Sequence, residues 1–366
     1  MQVNGQTLRT IWFDEDSGEI RIIDQTGLPH RFQTICLGSF AAACHAIESM
    51  QVRGAPLIGI TAAFGVYLAL REDGDGADLE KIRQRLLQTR PTAINLYWAL
   101  QRVREHLLVL PAGKRCAAAL RLARELADED AAACSAIGDH GLLLLEQAWQ
   151  AKLRRDPAAQ RLNVLTHCNA GWLATVDWGT ALAPIYKAHA LGIPVHVWVD
   201  ETRPRNQGAF LTAWELQQQG IAHTVIVDNA GGHLMQHGEV DLCIVGSDRT
   251  TASGDVCNKI GTYLKALAAH DNGIPFYVAL PVSTIDFALD DGVREIPIEQ
   301  RHASEVSHMQ GLDEQGALTR VQVMSGHSAV SNYGFDVTPA RLVTALITER
   351  GVFAPDRESL QVLQTP

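Results

Sequence analysis

Cofactor fingerprints are missing from this chain. No strand-like run is followed by G-x-G-x-x-G, and G-x-x-x-x-G-K-[ST] is absent, so neither a dinucleotide-binding turn nor a P-loop is encoded. The 14 histidines include no H-E-x-x-H or comparable ligand spacing. The seven cysteines (Cys36, Cys44, Cys116, Cys134, Cys168, Cys243 and Cys257) are odd in number and contain no C-x-x-C pair. That argues against a disulfide framework or a zinc site, and several of these thiols fall in apolar stretches suited to reduced cysteine. No metal and no cofactor is expected. Basic excess is missing too: the net charge of -10 argues against nucleic acid or an anionic membrane as a partner. The start, MQVNGQTLRTIWF, lacks a basic region followed by an apolar core, and no apolar run reaches about 18 residues, so neither a signal peptide nor a membrane span is expected. Cytoplasm is the expected location.

What is present is an ordinary globular composition, 46% hydrophobic and 20% charged over 366 residues, enough for two domains or one large one. Residues 7–24 read as a β-hairpin across a DEDSGE turn. From Ser39 the spacing is helical: FAAACHAIESMQV, LIGITAAFGVYLALRE, a DGDGAD loop, LEKIRQRLLQTR, TAINLYWALQRVREHLLVL and a long run ending at EQAW. AKLRRDPAAQR reads as a linker. The expected division is therefore a mainly helical domain over 1–155 and an α/β domain over 156–366.

In the second half, apolar runs alternate with helices: strands at Leu162–Thr166, Val195–Val199, His223–Val227, Asp241–Val245 and Pro275–Ala279, with helices including Gly179–Ala190, Leu211–Gln219 and Lys259–Ala269. This pattern predicts a Rossmann-like, doubly wound parallel sheet. A closing helix is expected over Pro339–Arg350, and EQRHASEVSHMQGLDEQG (299–316) reads as a surface excursion.

Ligands of such sheets bind beyond the carboxyl ends of the strands, and that is where the chemistry-bearing residues fall. DLCIVGSDRTTASGDVCNKIGTY (241–263) puts Asp248 after a buried strand and Asn258-Lys259 at the expected start of the next helix. A turn-capping Asp and a solvated Lys fit the same letters. THCNAGWLAT (166–175) places Cys168 just past a strand, as a nucleophile, a proton-transfer group or a small apolar filler. His167 beside it should face the opposite side. DETRPRNQGAFLTAWEL (200–216) offers Gln207 to a sugar hydroxyl, while Arg203 or Arg205 could pair with Asp200 or Glu201. In MQVRGAPLIG (50–59), Arg53 supplies a charged fork, Gly54 a close backbone approach, and Ala55-Pro56 the free N–H groups of a helix start, a combination that suits phosphate. Arg90, in RPTAINLYWAL (90–100), adds a cation or merely ends the preceding helix. Together these residues suit proton chemistry on a small sugar phosphate.

VRGAPLIG, RPTAINLYWAL, LTHCNAGWLAT, DETRPRNQGAFLTAWEL, VGSDRTTASGDVCNKIGTY, PVSTID, REIPIEQR and FDVTPARLVTALITERGV occur in that order. This series resembles the family that joins methylthioribose-1-phosphate isomerases with initiation factor 2B α-type subunits and ribose-1,5-bisphosphate isomerases. The resemblance implies a metal-independent aldose–ketose isomerase of methionine salvage acting as a homodimer, with ribose 1,5-bisphosphate or a non-catalytic regulatory role as the alternatives. It implies Asp248 and Cys168 as the catalytic pair, with Arg53, Gly54, Ala55, Arg90, Gln207, Asn258 and Lys259 binding substrate. Trp172, Trp178 and Leu57 are the apolar candidates for a methylthio group. The chain departs from the family pattern at SNYGFDVTP and at Ser247 and Thr250-Thr251, which affects loop shape and leaves the catalytic letters in place.

Overall fold

Among the described residues, a short hairpin, a three-stranded antiparallel sheet and five α-helices precede the main sheet. The computed structural model describes residues 1–3, 5–74 and 78–364, so residues 75–77 of the expected DGDGAD loop lie outside the described residues. β1 (Gln2–Val3) pairs with β2 (Gln6–Thr7); β3 (Ile11–Asp14), β4 (Glu19–Ile23) and β5 (Thr34–Cys36) form an antiparallel sheet. The expected hairpin is thus extended by a third strand.

Ser39 accepts from Ala42 N at 3.0 Å to cap α1 (Phe40–Glu48), and Asp78 caps α3 (Leu79–Leu87) in the same way. Between them, α2 (Ala55–Asp73) is apolar all round because it runs through the middle of the helical core, with Leu57, Leu68 and Leu70 fully buried. By length and composition α2 could cross a membrane, although no uninterrupted apolar run in the sequence points to a span. With 83% of its apolar window buried inside the molecule, it is placed as a core helix. α4 (Ile94–Leu108) packs on it, and α5 (Arg115–Arg155) follows as one helix of 41 residues. The first part of the expected linker, AKLRR, is the last turn of α5: its polarity reflects an exposed face, and nothing stops the helix before Asp156-Pro157. The first half of α5 joins the helical core, while Ile137 and Leu145 pack with residues of the main sheet.

The remaining elements are β6 (Leu162–Thr166), α6 (Ala183–Ala190), β7 (Val195–Asp200), α7 (Ala213–Gln218), β8 (Ala222–Ile226), α8 (Ala230–Gln236), β9 (Leu242–Val245), β10 (Arg249–Thr251), β11 (Val256–Lys259), α9 (Thr262–Asp271), β12 (Phe276–Ala279), β13 (Ile285–Asp286), α10 (Gly292–Glu295), α11 (Ser304–Ser307), β14 (His308–Leu312), β15 (Leu318–Gln322), β16 (Phe335–Thr338), β17 (Ala345–Thr348), β18 (Gly351–Phe353) and α12 (Arg357–Gln361). The main sheet runs β18-β17-β12-β9-β6-β7-β8, parallel except for the edge strand β18. From β6 the chain winds outward through β7 to β8, then returns to the other side of β6 with β9. The carboxyl ends of β6 and β9 therefore flank the crevice where the winding reverses.

One expected helix is a strand, and the helix expected over Lys259–Ala269 starts three residues late, at Thr262. The segment expected as a closing helix, 339–350, contains one tight turn and then β17, which pairs in parallel with β12. Leu346 and Ile347 are both fully buried, as a strand covered on two faces requires, and Thr344, Ile347 and Thr348 are β-branched. Asn258 and Lys259 do not begin a helix either. They end β11, opposite Asp336 and Phe335 of β16 in a second, four-stranded sheet ordered β13-β10-β11-β16, and α9 starts only after Gly261 turns the chain at φ 103°. The excursion at 299–316 contains α11 and β14, and β14 pairs with β15 as a hairpin.

Candidate active site

β6 and β9 are fully buried, mainly apolar strands that lie side by side and run parallel, so the polar residues after them are delivered to the same rim. Cys168 lies two residues beyond β6 in a left-handed conformation, φ 66°. Its N–H donates to Thr202 Oγ1 at 2.8 Å, its carbonyl accepts the Thr212 hydroxyl at 2.7 Å, and its thiol donates to Gln207 Oε1 at 3.3 Å. Burial pushes the Cys168 thiol up, against the pull of Arg53 and Lys259, so the group stays protonated near neutral pH. Asp248 comes after β9 and the Gly246 turn, its N–H bonded to Cys257 O at 2.9 Å. Burial raises its carboxyl above the ordinary range, although Lys259, Arg53 and Arg90 pull it down.

Three cations face this pair. Arg53, only 8% exposed, comes from the loop before α2 and forks onto Asn169: Nη2 donates to the backbone carbonyl at 2.8 Å and Nη1 to the side-chain oxygen. Arg90 precedes α4 and lies 3.6 Å from Glu299. Lys259 donates to Gly334 O at 3.0 Å with its ammonium 4.5 Å from the Phe335 ring centroid, and burial lowers its pKa. Gly54, at φ 94°, begins α2 so close to the chain that a Cβ there would collide with the Ala174 backbone. Only glycine fits that approach.

The cavity lining brings together Arg53, Gly54, Ala55, Arg90, Cys168, Gln207, Asp248 and Lys259 around about 50 Å³. Asn258 lines an adjoining lobe of about 30 Å³, with its own amide donating to Thr262 Oγ1 at 3.1 Å. A third lobe of about 380 Å³ shares Met50, Arg53 and Gln207 and opens toward α11 and β14. A larger concavity of about 1130 Å³ lies elsewhere, between α4, α5 and the segment 281–287. It contains none of the nine residues above, so size does not locate the chemistry here.

Some expectations fail. Trp172 and Leu57 are fully buried in the core, and Trp178 packs against Lys187; none of the three lines the site. The apolar wall is instead Met50, Ile58, Ile296, Pro297 and Phe335. Arg203 and Arg205 bond to neither Asp200 nor Glu201 and reach across to Val306 O and Glu305. His167 does face away from Cys168: it bonds Asp200 at 2.8 Å and Ile260 O at 2.8 Å. Among the described residues, His167, Asp200 and Asp228 form the one group close enough to hold a metal ion. The Lys265 ammonium already lies 3.1 Å from Asp200 and donates to Asp228 O, supplying a cation internally.

The profile of the initiation factor 2 subunit family matches residues 51–355. The chain belongs to that family. Within the initiation factor 2 subunit family it is similar to the methylthioribose-1-phosphate isomerase of Methylocella silvestris, 60% identical over 98% of this chain and 97% of the relative. The enzyme of the same name from Rhodospirillum rubrum is 59% identical over 98% of this chain and 92% of its own length. Among solved structures, 5-methylthioribose 1-phosphate isomerase of Pyrococcus horikoshii superposes with a TM-score of 0.80 at 36% identity, covering 98% of this chain and 96% of that one. The structure of translation initiation factor eIF-2B, subunit delta, from A. fulgidus superposes with a TM-score of 0.77 at 37% identity, covering 98% of this chain and 100% of that one.

Proposed function

We infer that the chain is an aldose–ketose isomerase converting 5-methylthioribose 1-phosphate to 5-methylthioribulose 1-phosphate, a step of methionine salvage. Full-length identity of about 60% to enzymes of that name supports the activity. The observation that carries the chemistry is Asp248 and Cys168 facing one cavity walled by Arg53, Arg90 and Lys259.

The substrate carries phosphate on its anomeric oxygen, so its ring cannot open as a free hemiacetal does. In our reading the neutral Asp248 carboxyl gives its proton to the ring oxygen as the C1–O bond breaks, leaving positive charge at C1. Hydrogen then moves from C2 to C1, as a hydride or by proton transfer, and the C2 hydroxyl proton returns to the Asp248 carboxylate as the ketone forms. A buried, upshifted carboxyl suits the first step. Cys168, kept as a thiol, assists at C1 or C2 by proton transfer or by stabilising the transition state. Arg53, Arg90, Lys259 and the α2 start at Gly54-Ala55 hold the phosphate; Gln207 and Asn258 complete the grip. Homodimerisation, a cytoplasmic location and the domain division at 155/156 belong to the same proposal, the first resting on the family resemblance and the other two on the composition and patterning of the sequence.

The similarity to a solved 2B delta subunit keeps a regulatory reading in view. Assaying 5-methylthioribose 1-phosphate beside ribose 1,5-bisphosphate separates the readings. Turnover of the first is expected; preference for the bisphosphate, or turnover of neither, overturns the assignment.

A further inference from the structure

Behind the cavity sits a carboxylate that no catalytic step uses. Glu215 is 0% exposed and lies on α7, just after a π-helical turn at Gly208–Thr212. Such turns carry one extra residue and occur often at functional sites. Here the turn region presents three side chains to the Cys168 loop: Gln207 to the thiol, Thr212 to the Cys168 carbonyl, and Glu215 to the Asn169 amide.

Four donors converge on Glu215. Oε1 accepts from Asn169 Nδ2 at 2.8 Å and Leu173 N at 3.1 Å; Oε2 accepts from Trp172 N at 2.9 Å and Tyr186 Oη at 2.6 Å. Burial pushes the carboxyl up and these donors oppose it. The approach is so close that a Cβ on Gly171 would collide with Oε2, so glycine at 171 is the condition for Glu215 to enter.

The Asn169 amide has only one orientation in this setting. Its NH2 faces Glu215 and the Thr212 hydroxyl, so its oxygen faces Arg53, whose second arm takes the Asn169 carbonyl. Were the amide reversed, NH2 would point at the guanidinium and oxygen at a carboxylate, unfavourable at both ends.

We propose that Glu215 is a positioning residue for the isomerisation, acting through Asn169 to hold the Arg53 guanidinium in place for the substrate phosphate. The proposal rests on the isomerase reading and on Arg53 as a phosphate ligand. Hydrogen bonds to charged groups are stronger than those between neutral ones. Glu215→Gln should raise KM by about tenfold or more, with kcat reduced less, because one oxygen replaces two acceptors for four donors and the hold on Asn169, and through it on Arg53, loosens. Asn169→Asp alone sets two carboxylates face to face and should be impaired as well. The double variant Glu215→Gln/Asn169→Asp gives Arg53 an acceptor and the amide NH2 a carboxylate, so KM should recover toward wild type. Tyr186→Phe removes one donor to Glu215 without touching Asn169 and should leave KM near wild type.

The test is steady-state kinetics on 5-methylthioribose 1-phosphate for all five proteins, with inorganic phosphate titrated calorimetrically into each, and thermal melts to confirm folding. Wild-type turnover reports on the activity itself; the phosphate affinities report on Arg53 whether or not that activity is found. The expected pattern is weakened phosphate binding in both single variants and recovery in the double. A folded Glu215→Gln protein with wild-type phosphate affinity, an equal loss in Tyr186→Phe, or no recovery in the double would overturn it.

Discussion

The Cys168 thiol donates to Gln207 Oε1 at 3.3 Å from a backbone held at φ 66°. A non-glycine residue in that region costs of order 1 kcal/mol and persists only when its surroundings impose it. Thr202 holds the N–H and Thr212 the carbonyl, so both backbone groups of Cys168 are anchored by side chains from the β7–α7 segment. The same segment that turns the thiol into the cavity supplies its acceptor.

Asp248 should set the basic limb of the pH–rate profile. Its pKa is raised by burial, so the proton-bearing form extends above the usual carboxylate range, and kcat falls as pH rises through the shifted value. The linked stability has the same sense: its contribution is complete below the unfolded pKa and is lost as pH rises through the folded one. Lys259 opposes the shift, so Lys259→Met should move the limb to higher pH while weakening substrate binding. A limb that moved down would contradict the assignment.

Gly54→Ala should disable the protein. It combines a positive φ with a Cβ driven into the Ala174 backbone, two costs that together amount to roughly 3 kcal/mol or more. Denaturant melts should show that loss, with phosphate binding lost in whatever fraction remains folded.

Asp130 lies away from the site and tests the electrostatics of the fold alone. Burial raises its carboxyl to about 7, so it remains protonated in the folded chain where the unfolded chain has already ionised. Stability should fall as pH climbs from about 4 to about 7. Asparagine keeps an acceptor for Val176 N, which bonds Asp130 Oδ2 at 2.7 Å. Asp130→Asn should therefore be more stable than wild type by on the order of 1 kcal/mol at about pH 8, with no gain at about pH 4. Equal melting curves under the alkaline condition would remove burial as the cause.

Much of the sheet and the convergence of the site residues could be read from sequence, because buried parallel strands are short apolar runs and their ends are marked by polar turns. Leu162–Thr166 matches the structure at both ends. Where apolar runs are as long as a helix, period alone does not decide: the spacing of Leu342–Thr348 fits a helix, and only its pairing with β12 makes it a strand. Asn258 and Lys259 reach the cavity region, but from a strand whose partner β16 is over 70 residues away in sequence, a pairing no local pattern encodes. Glu215 and Asn169 carry no local signal as a pair. They lie 46 residues apart in sequence and meet where α7, entered through a π-helical turn, packs on the Cys168 loop. Trp172 shows the opposite error: a large side chain beside the Cys168 loop turns into the nearby core, where it packs near Trp214.

The central claim is that Asp248 and Cys168 do the chemistry while the cations hold the phosphate. Turnover and substrate affinity of Asp248→Asn and Cys168→Ser, measured on 5-methylthioribose 1-phosphate against wild type, test it most directly. Both variants should bind substrate nearly as well as wild type and lose kcat by on the order of a hundredfold or more. Near-normal turnover in either folded variant would contradict that residue's role.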